Sequence, residues 1–153
     1  MNVLFVCLGN ICRSPMAHGI LRKLFTERGI QGSVDSAGFE SYHINDPPDD
    51  RAIETAEAHG IDIRDKRARL FSVKDFDRFD RIYVMDGNNH NDVMYFARNE
   101  KDKAKVDYLM NILHPGRNLP VPDPYYRDIG ACEEVFKLME QACERIAHQA
   151  TVK

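Results

Sequence analysis

The chain alternates short apolar runs with longer segments of helical periodicity, and this alternation most constrains its fold. The run NVLFVC at 2–7 is almost entirely apolar, as expected of a parallel strand buried on both faces. The segment from Ser14 to Gly29 spaces its apolar residues three and four positions apart, as one face of a helix does. Alternating strands and helices form a parallel sheet covered on both sides, so the pattern predicts a three-layer α/β fold.

The same alternation continues along the rest of the chain. Further strands are predicted at 33–38, 81–86 and 105–110, and further helices at 51–59, 87–99 and 129–148. The segment 119–128 contains too much proline for regular structure. With 153 residues, 43% hydrophobic content and no repeat or linker, the sequence predicts a single domain over 1–153.

Composition excludes several classes of function. The formal net charge of −3 gives no global basic field, so nucleic acid is not an expected partner. No apolar run has the length of a membrane span, and the N-terminus lacks the features of a signal peptide. We therefore expect a cytoplasmic protein without membrane contact. Four cysteines in that compartment are expected to be core residues, metal ligands or reactive thiols rather than structural disulfides.

The turn CLGNICRS at 7–14 has the composition of an anion-binding loop. It joins a strand to a helix N-terminus, where backbone N–H groups and the helix dipole attract negative charge. Arg13 adds a planar fork of donors for two phosphate oxygens, and the loop lacks the glycine-lysine ending of nucleotide-binding loops. The sequence thus predicts a loop for a tetrahedral dianion, comprising Leu8, Gly9, Asn10, Ile11, Cys12 and Ser14.

Cys7 is the chemically distinctive residue of this loop. A cysteine at the end of an apolar strand is usually core filler. Here, however, converging N–H groups and Arg13 favour the thiolate, and the Ser14 hydroxyl is placed to hydrogen-bond it. A thiolate beneath a bound phosphoryl group indicates nucleophilic attack on phosphorus.

The motif C-x5-R-S, filled here as CLGNICRS, resembles that of the low-molecular-weight protein-tyrosine phosphatases. The segments DSAG at 35–38, HGID at 59–62, VMDGNN at 84–89 and DPYY at 123–126 also match that family in order, over nearly the whole chain. The resemblance implies a flavodoxin-like, four-stranded parallel sheet, a cysteinyl-phosphate intermediate, and no metal or other cofactor.

The resemblance also implies roles for individual residues. Cys7 is expected to be the nucleophile, Arg13 the phosphate ligand, and Asp123 the general acid. Asn10, Ser14 and Ser36 are expected to form the hydrogen-bond network that holds the loop. Independently of the resemblance, the position of Asp86 just past the third predicted strand suggests that it orients a tyrosine of the proline-rich segment through the tyrosine hydroxyl. The walls of the entrance are expected to comprise Ile11, Tyr42, Tyr125 and Tyr126.

The chemistry of the leaving group independently supports Asp123 as the general acid. A departing tyrosine phenolate needs a proton, because its conjugate acid has a pKa of about 10. Pro122 and Pro124 stiffen the backbone on both sides of Asp123, which would help to hold its carboxyl over the site. The alternative is an aspartate that only shapes a turn. In the second step the same carboxylate would accept a proton from the attacking water.

The remaining cysteines have other interpretations. Cys7 and Cys12 form a C-x4-C pair, but no second close pair completes a zinc site. The family resemblance suggests instead a reversible disulfide between them. Cys132 and Cys143 follow helical spacing with apolar neighbours and are predicted to lie in the core.

Three rival functions share such a loop: arsenate reduction, phosphoarginine hydrolysis and phosphate binding without catalysis. Arsenate reduction would need resolving cysteines near the rim, whereas none occurs between Cys12 and Cys132. By the resemblance, phosphoarginine phosphatases carry threonine at the position of Ile11. The expected partners are tyrosine-phosphorylated proteins, with a tyrosine autokinase as one candidate, and the expected state is a monomer or weak dimer.

Overall fold

A four-stranded parallel sheet lies at the centre of the protein. The computed structural model describes residues 1–124 and 129–151. The strands are β1 (Val3–Val6), β2 (Val34–Ala37), β3 (Arg81–Val84) and β4 (Val106–Tyr108), in the order β2-β1-β3-β4. All neighbouring pairs are parallel, with Val3 opposite Val34 on one side and Arg81 on the other. This strand order is that of flavodoxin-like folds, as expected from the sequence.

Within the described part of the chain, six helices surround the sheet. They are α1 (Arg13–Arg28), α2 (Asp50–Ala58), α3 (Asp75–Arg78), α4 (Gly87–Phe96), α5 (Glu100–Ala104) and α6 (Ile129–Thr151). Short 3-10 turns occupy Ser41–His43 and Leu109–Ile112. No helix among the described residues has the length and hydropathy needed to cross a bilayer.

Successive residues of β1 face opposite sides of the sheet and join different halves of the core. Val3 and Phe5 pack in a cluster that includes buried residues of α1, α2 and α6. Leu4 and Val6 pack in a second cluster with Phe76 of α3 and Val93 of α4. Both faces of the sheet are therefore covered, which confirms the predicted three-layer α/β fold.

Two predicted elements have different bounds in the structure. The helix predicted at 87–99 ends at Phe96, because Asn99 begins a new helix by accepting a hydrogen bond from the N–H of Asp102 at 2.9 Å. The strand predicted at 105–110 ends at Tyr108, where the chain turns into a 3-10 helix. Helices α3 and α5 were not predicted, since segments of four and five residues are too short to show periodicity.

The carboxyl ends of three adjacent strands bring the predicted site residues to one edge of the sheet. Cys7 follows β1, and its N–H donates to the carbonyl of Ala37 at the end of β2 at 3.3 Å. The N–H of Val121 donates to the carbonyl of Met85, just beyond β3, at 2.7 Å. That bond anchors the proline-rich segment two residues before Asp123.

Candidate active site

Two carbonyl groups of the loop 7–13 point away from its concave side. The carbonyl of Leu8 accepts from the N–H of Phe39 at 2.7 Å, and that of Ile11 accepts from the N–H of Asp49 at 2.7 Å. Since the peptide bonds of this loop are trans, the N–H of each following residue points the opposite way. Together with the N-terminus of the 16-residue helix α1, these donors lie where the sequence predicts an anion-binding loop.

A short hydrogen-bond network ends at the sulfur of Cys7. The Cys7 Sγ lies 3.0 Å from the Ser14 Oγ, and the Asn10 Nδ2 donates to the same Oγ at 2.8 Å. All three side chains are buried. Asn10 adopts a left-handed φ of 56°, a conformation that asparagine tolerates better than most residues. Because Ser14 accepts from Asn10, its own proton is available to the sulfur.

Arg13 lies at the base of the site and is only 3% exposed. Its Nη1 donates to the Asp86 Oδ2 at 3.0 Å and to the carbonyl of Val121 at 2.8 Å. Its Nη2 lies 3.6 Å from the Asp123 Oδ2. The guanidinium is therefore held between the segment after β3 and the segment that carries Asp123.

Asp86 contacts Arg13 and also caps α4, since its Oδ1 accepts from the N–H of Asn89 at 2.9 Å. The predicted contact of Asp86 with a tyrosine of the proline-rich segment lies outside the described residues, as do Tyr125 and Tyr126. The observed position makes Asp86 an anchor for Arg13, a role that the sequence had not suggested.

These groups surround a cavity of about 160 Å³. That volume is comparable to an apolar cavity of about 150 Å³ that accommodates benzene. The cavity is lined by the predicted residues Cys7, Leu8, Gly9, Ile11, Cys12, Arg13, Tyr42 and Asp123, together with Glu40 and His43. The Asp123 side chain is 41% exposed and so lies at the opening.

One wall of the cavity is the segment 40–43. Tyr42 is 72% exposed, its ring centroid lies 4.3 Å from that of His43, and its hydroxyl donates to Glu40. A Cβ at Gly9 would lie 3.1 Å from Glu40 Oε1 and from His43 Cδ2, so glycine permits this close packing. Glu40 and His43 were missed, although their place beyond the end of β2 was a usable signal.

The expected contact of Ser36 with Asn10 and Ser14 is not found. The Ser36 hydroxyl instead pairs with the Nδ1 of His18 at 3.1 Å, because α1 packs His18 against β2. The support that sequence reasoning missed comes from Arg69, whose backbone N–H donates to the Asn10 Oδ1 at 3.0 Å.

The other thiols are distributed around the loop and the core. Cys132 and Cys143 are fully buried, which confirms the prediction that they lie in the core. Cys132 is also the neighbour of Cys12: a hydrogen bond with Cys132, together with burial, raises the pKa of the Cys12 thiol. Among residues 1–124 and 129–151, no cluster of His, Cys, Asp or Glu side chains is suited to a metal ion.

A family model described as low molecular weight phosphotyrosine protein phosphatase matches residues 2–153. The chain belongs to this family. It is 39% identical over 148 residues to the low molecular weight protein-tyrosine-phosphatase YfkJ of Bacillus subtilis, covering 95% of this chain and 93% of that one.

Two solved structures are also similar to this chain. A protein tyrosine phosphatase from Entamoeba histolytica superimposes with a TM-score of 0.89 at 32% identity, covering 97% of this chain and 96% of that one. An arginine phosphatase from Drosophila superimposes with a TM-score of 0.90 at 30% identity, covering 100% and 99%.

Proposed function

We propose that the chain hydrolyses phosphotyrosine in proteins through a cysteinyl-phosphate intermediate. Cys7 is the nucleophile, Arg13 binds the phosphoryl group, and Asp123 is the general acid and base. One observation carries the proposal: the Cys7 sulfur lies 3.0 Å from the Ser14 hydroxyl in a cavity also lined by Arg13 and Asp123. Nucleophile, anion ligand and proton donor thus share one pocket.

In the first step the Cys7 sulfur attacks phosphorus while the bond between phosphorus and the phenolic oxygen breaks. Asp123 donates its proton to that oxygen, so tyrosine leaves as a neutral phenol. Arg13 and the N–H groups of the loop neutralise charge on the phosphoryl oxygens. The location of Asp123 at the opening suits this role, because the leaving oxygen points out of the loop.

In the second step water attacks the cysteinyl phosphate. Asp123, now a carboxylate, accepts a proton from the water, and the sulfur leaves as a thiolate. The hydrogen bond that Ser14 can donate stabilises this leaving group. The products are inorganic phosphate and the free enzyme, and neither step requires a metal ion.

The shape of the pocket favours phosphotyrosine over phosphoserine. Cys7 is buried at the bottom of the cavity, whereas Tyr42 is largely exposed at its entrance. The long aromatic side chain of phosphotyrosine spans this depth and stacks on the wall, but the short side chain of phosphoserine does not.

Phosphoarginine is the second candidate substrate, since a Drosophila arginine phosphatase is a close structural match. Ile11 argues for tyrosine, because its apolar side chain suits an aryl ring better than a guanidinium. Initial rates on phosphotyrosine, phosphoserine and phosphoarginine peptides of matched sequence test this choice. We expect a preference of orders of magnitude for phosphotyrosine, and Ile11→Thr should raise the relative rate on phosphoarginine. Equal rates on all three would contradict the proposed pocket.

Cys7→Ser is the control for covalent catalysis. It should lose turnover yet still bind phosphate, because the rest of the loop remains intact. Turnover near that of the wild type would exclude the cysteinyl phosphate.

The proposed partners are tyrosine-phosphorylated proteins, with a tyrosine autokinase as one candidate, and the proposed state is a monomer or weak dimer. We place the protein in the cytoplasm. The four cysteines are all free in the structure, which fits a reducing compartment.

A further inference from the structure

We propose that Arg69 is a positioning residue for Cys7, acting through Asn10 and Ser14. Its backbone N–H determines which way the Asn10 amide faces, and the amide in turn directs the Ser14 proton toward the sulfur. The inference rests on the proposed function only in taking Cys7 as the nucleophile.

The direction of each hydrogen bond follows from the one before it. A backbone N–H can only donate, so the atom of Asn10 that lies 3.0 Å from the Arg69 nitrogen must be its oxygen. The amide nitrogen of Asn10 therefore faces Ser14, 2.8 Å from its Oγ, and donates to it. The single hydroxyl proton of Ser14 is then free for Cys7, 3.0 Å away. If the amide were reversed, Ser14 would donate to Asn10 instead.

The side chain of Arg69 holds that backbone N–H in place. Its Nε and Nη2 donate to the Asp35 Oδ2 at 3.1 and 2.9 Å, and its Nη1 and Nη2 donate to the two oxygens of Asp75 at 3.1 Å each. Asp75 is fully buried and also accepts from the N–H of Ser72 at 2.9 Å. Two carboxylates on one planar guanidinium fix the position of its residue more tightly than an ammonium would.

The backbone around Arg69 is attached to the same edge of the sheet. Its carbonyl accepts from the N–H of Gly38 at 2.9 Å, just after β2. A Cβ at Gly38 would lie 2.8 Å from the Leu8 oxygen and 2.9 Å from the Asn10 nitrogen. The phosphate loop, Gly38 and Arg69 are therefore packed in direct contact, so a shift of Arg69 reaches Asn10 without an intermediate segment.

Arg98 offers a matched control. Its guanidinium also bridges two carboxylates, a buried one (Asp102) and an exposed one (Asp77), but it lines a different surface from the cavity of Cys7. Arg69→Lys and Arg98→Lys both keep the positive charge and lose the fork of donors. The two variants should lose similar stability, whereas only Arg69→Lys should change the chemistry of Cys7.

The test is the midpoint pH of Cys7 alkylation by iodoacetate, read from the mass of the Cys7 peptide. Ser14→Ala should raise this midpoint by about one pH unit or more, the effect of losing a hydrogen bond to a charged group. Arg69→Lys should raise the midpoint by roughly half a pH unit or more, because a less firmly held Arg69 and Asn10 weaken the hydrogen bond from Ser14 to the Cys7 sulfur. Arg98→Lys should leave it unchanged.

A double variant distinguishes an effect that passes through Asn10 and Ser14 from a general loosening of the fold around Cys7. In the Ser14→Ala background, Arg69→Lys should add almost no further shift, because the bond through which it acts is already gone. A full additional shift there, or equal shifts in Arg69→Lys and Arg98→Lys, would overturn the proposal. If Arg69→Lys does not fold, Asp35→Asn carries the same test with the same expected direction. Alkylation needs no turnover. If Arg69→Lys shifts the alkylation midpoint but wild type does not hydrolyse phosphotyrosine, the proposed function is refuted and the role of Arg69 stands.

Discussion

His18 should make the folded protein sensitive to mild acid. The residue is 6% exposed, its Nδ1 pairs with Ser36, and its Nε2 has no hydrogen-bond partner among the described residues. Burial, and secondarily the nearby cation Lys66, lower the pKa of His18 to about 3. The other charged groups that act on it are the cations Arg22 and Arg69, which lower the pKa, and Asp35, which raises it.

The sign and size of the effect follow from proton linkage. An unfolded histidine has a pKa of about 6.5, so below that pH the unfolded chain takes up a proton that folded His18 does not. The free energy of unfolding is therefore fully retained above pH 6.5 and falls as the pH drops. At pH 5 the loss is about 2 kcal/mol, or roughly 1.4 kcal/mol for each of about 1.5 pH units.

Urea unfolding at pH 7 and pH 5 measures this contribution. Wild type should lose about 2 kcal/mol more than His18→Gln between the two pH values, because glutamine does not titrate. His148 is exposed on α6, so His148→Gln controls for the removal of a surface histidine and should lose as much unfolding free energy as wild type does. If wild type and His18→Gln lose the same free energy, the inference that buried His18 resists protonation is wrong.

Three further predictions concern Asp123, Gly38 and Cys12. Asp123→Ala should slow single-turnover cleavage of phenyl phosphate by roughly 10²–10⁴-fold, and should slow that of nitrophenyl phosphate less. If plots of the logarithm of the rate against leaving-group pKa are parallel for wild type and Asp123→Ala, Asp123 is not the proton donor. Gly38→Ala places a methyl group 2.8 Å from the Leu8 oxygen, so urea unfolding should show a loss of about 1–3 kcal/mol, and wild-type stability would contradict the packing. After inactivation by peroxide, Cys12→Ser should regain less activity than wild type when a thiol reductant is added. Cys12 lines the cavity of Cys7, so it can react with the Cys7 sulfenic acid to form a disulfide that a thiol reduces. Equal recovery in both proteins would argue against a Cys7–Cys12 disulfide.

The sheet and the position of the loop 7–14 were predictable because their signals are local. The run 2–7 is apolar throughout, and the structure buries every residue of β1. The loop directly after it carries its own chemistry within eight residues, CLGNICRS. Since parallel strands end at one edge, the chain order alone brought Cys7 and the segment of Asp123 together.

The contacts around the loop were not predictable, because they depend on packing between segments far apart in sequence. Arg69 reaches Asn10 across 59 positions, and nothing near Arg69 in the sequence distinguishes it from the other basic residues of 64–69. Cys132 was predicted as core from helical spacing, but its position beside Cys12 depends on how α6 packs on α1. Ser36 was assigned to the loop network by resemblance. Its hydroxyl instead pairs with His18, and the sequence pattern could not show which side of α1 faces β2.

The guanidinium of Arg13 has a consequence for how variants of this enzyme are interpreted. It connects its own loop to two distant segments, since it bonds Asp86 after β3 and the carbonyl of Val121, and it lies beside Asp123 in the same segment as Val121. A substitution at Arg13 therefore removes the proposed phosphate ligand and also releases the segment that carries Asp123, the proposed general acid. Kinetic losses at Arg13 and Asp123 should be strongly non-additive, so neither single variant reports the contribution of one group alone.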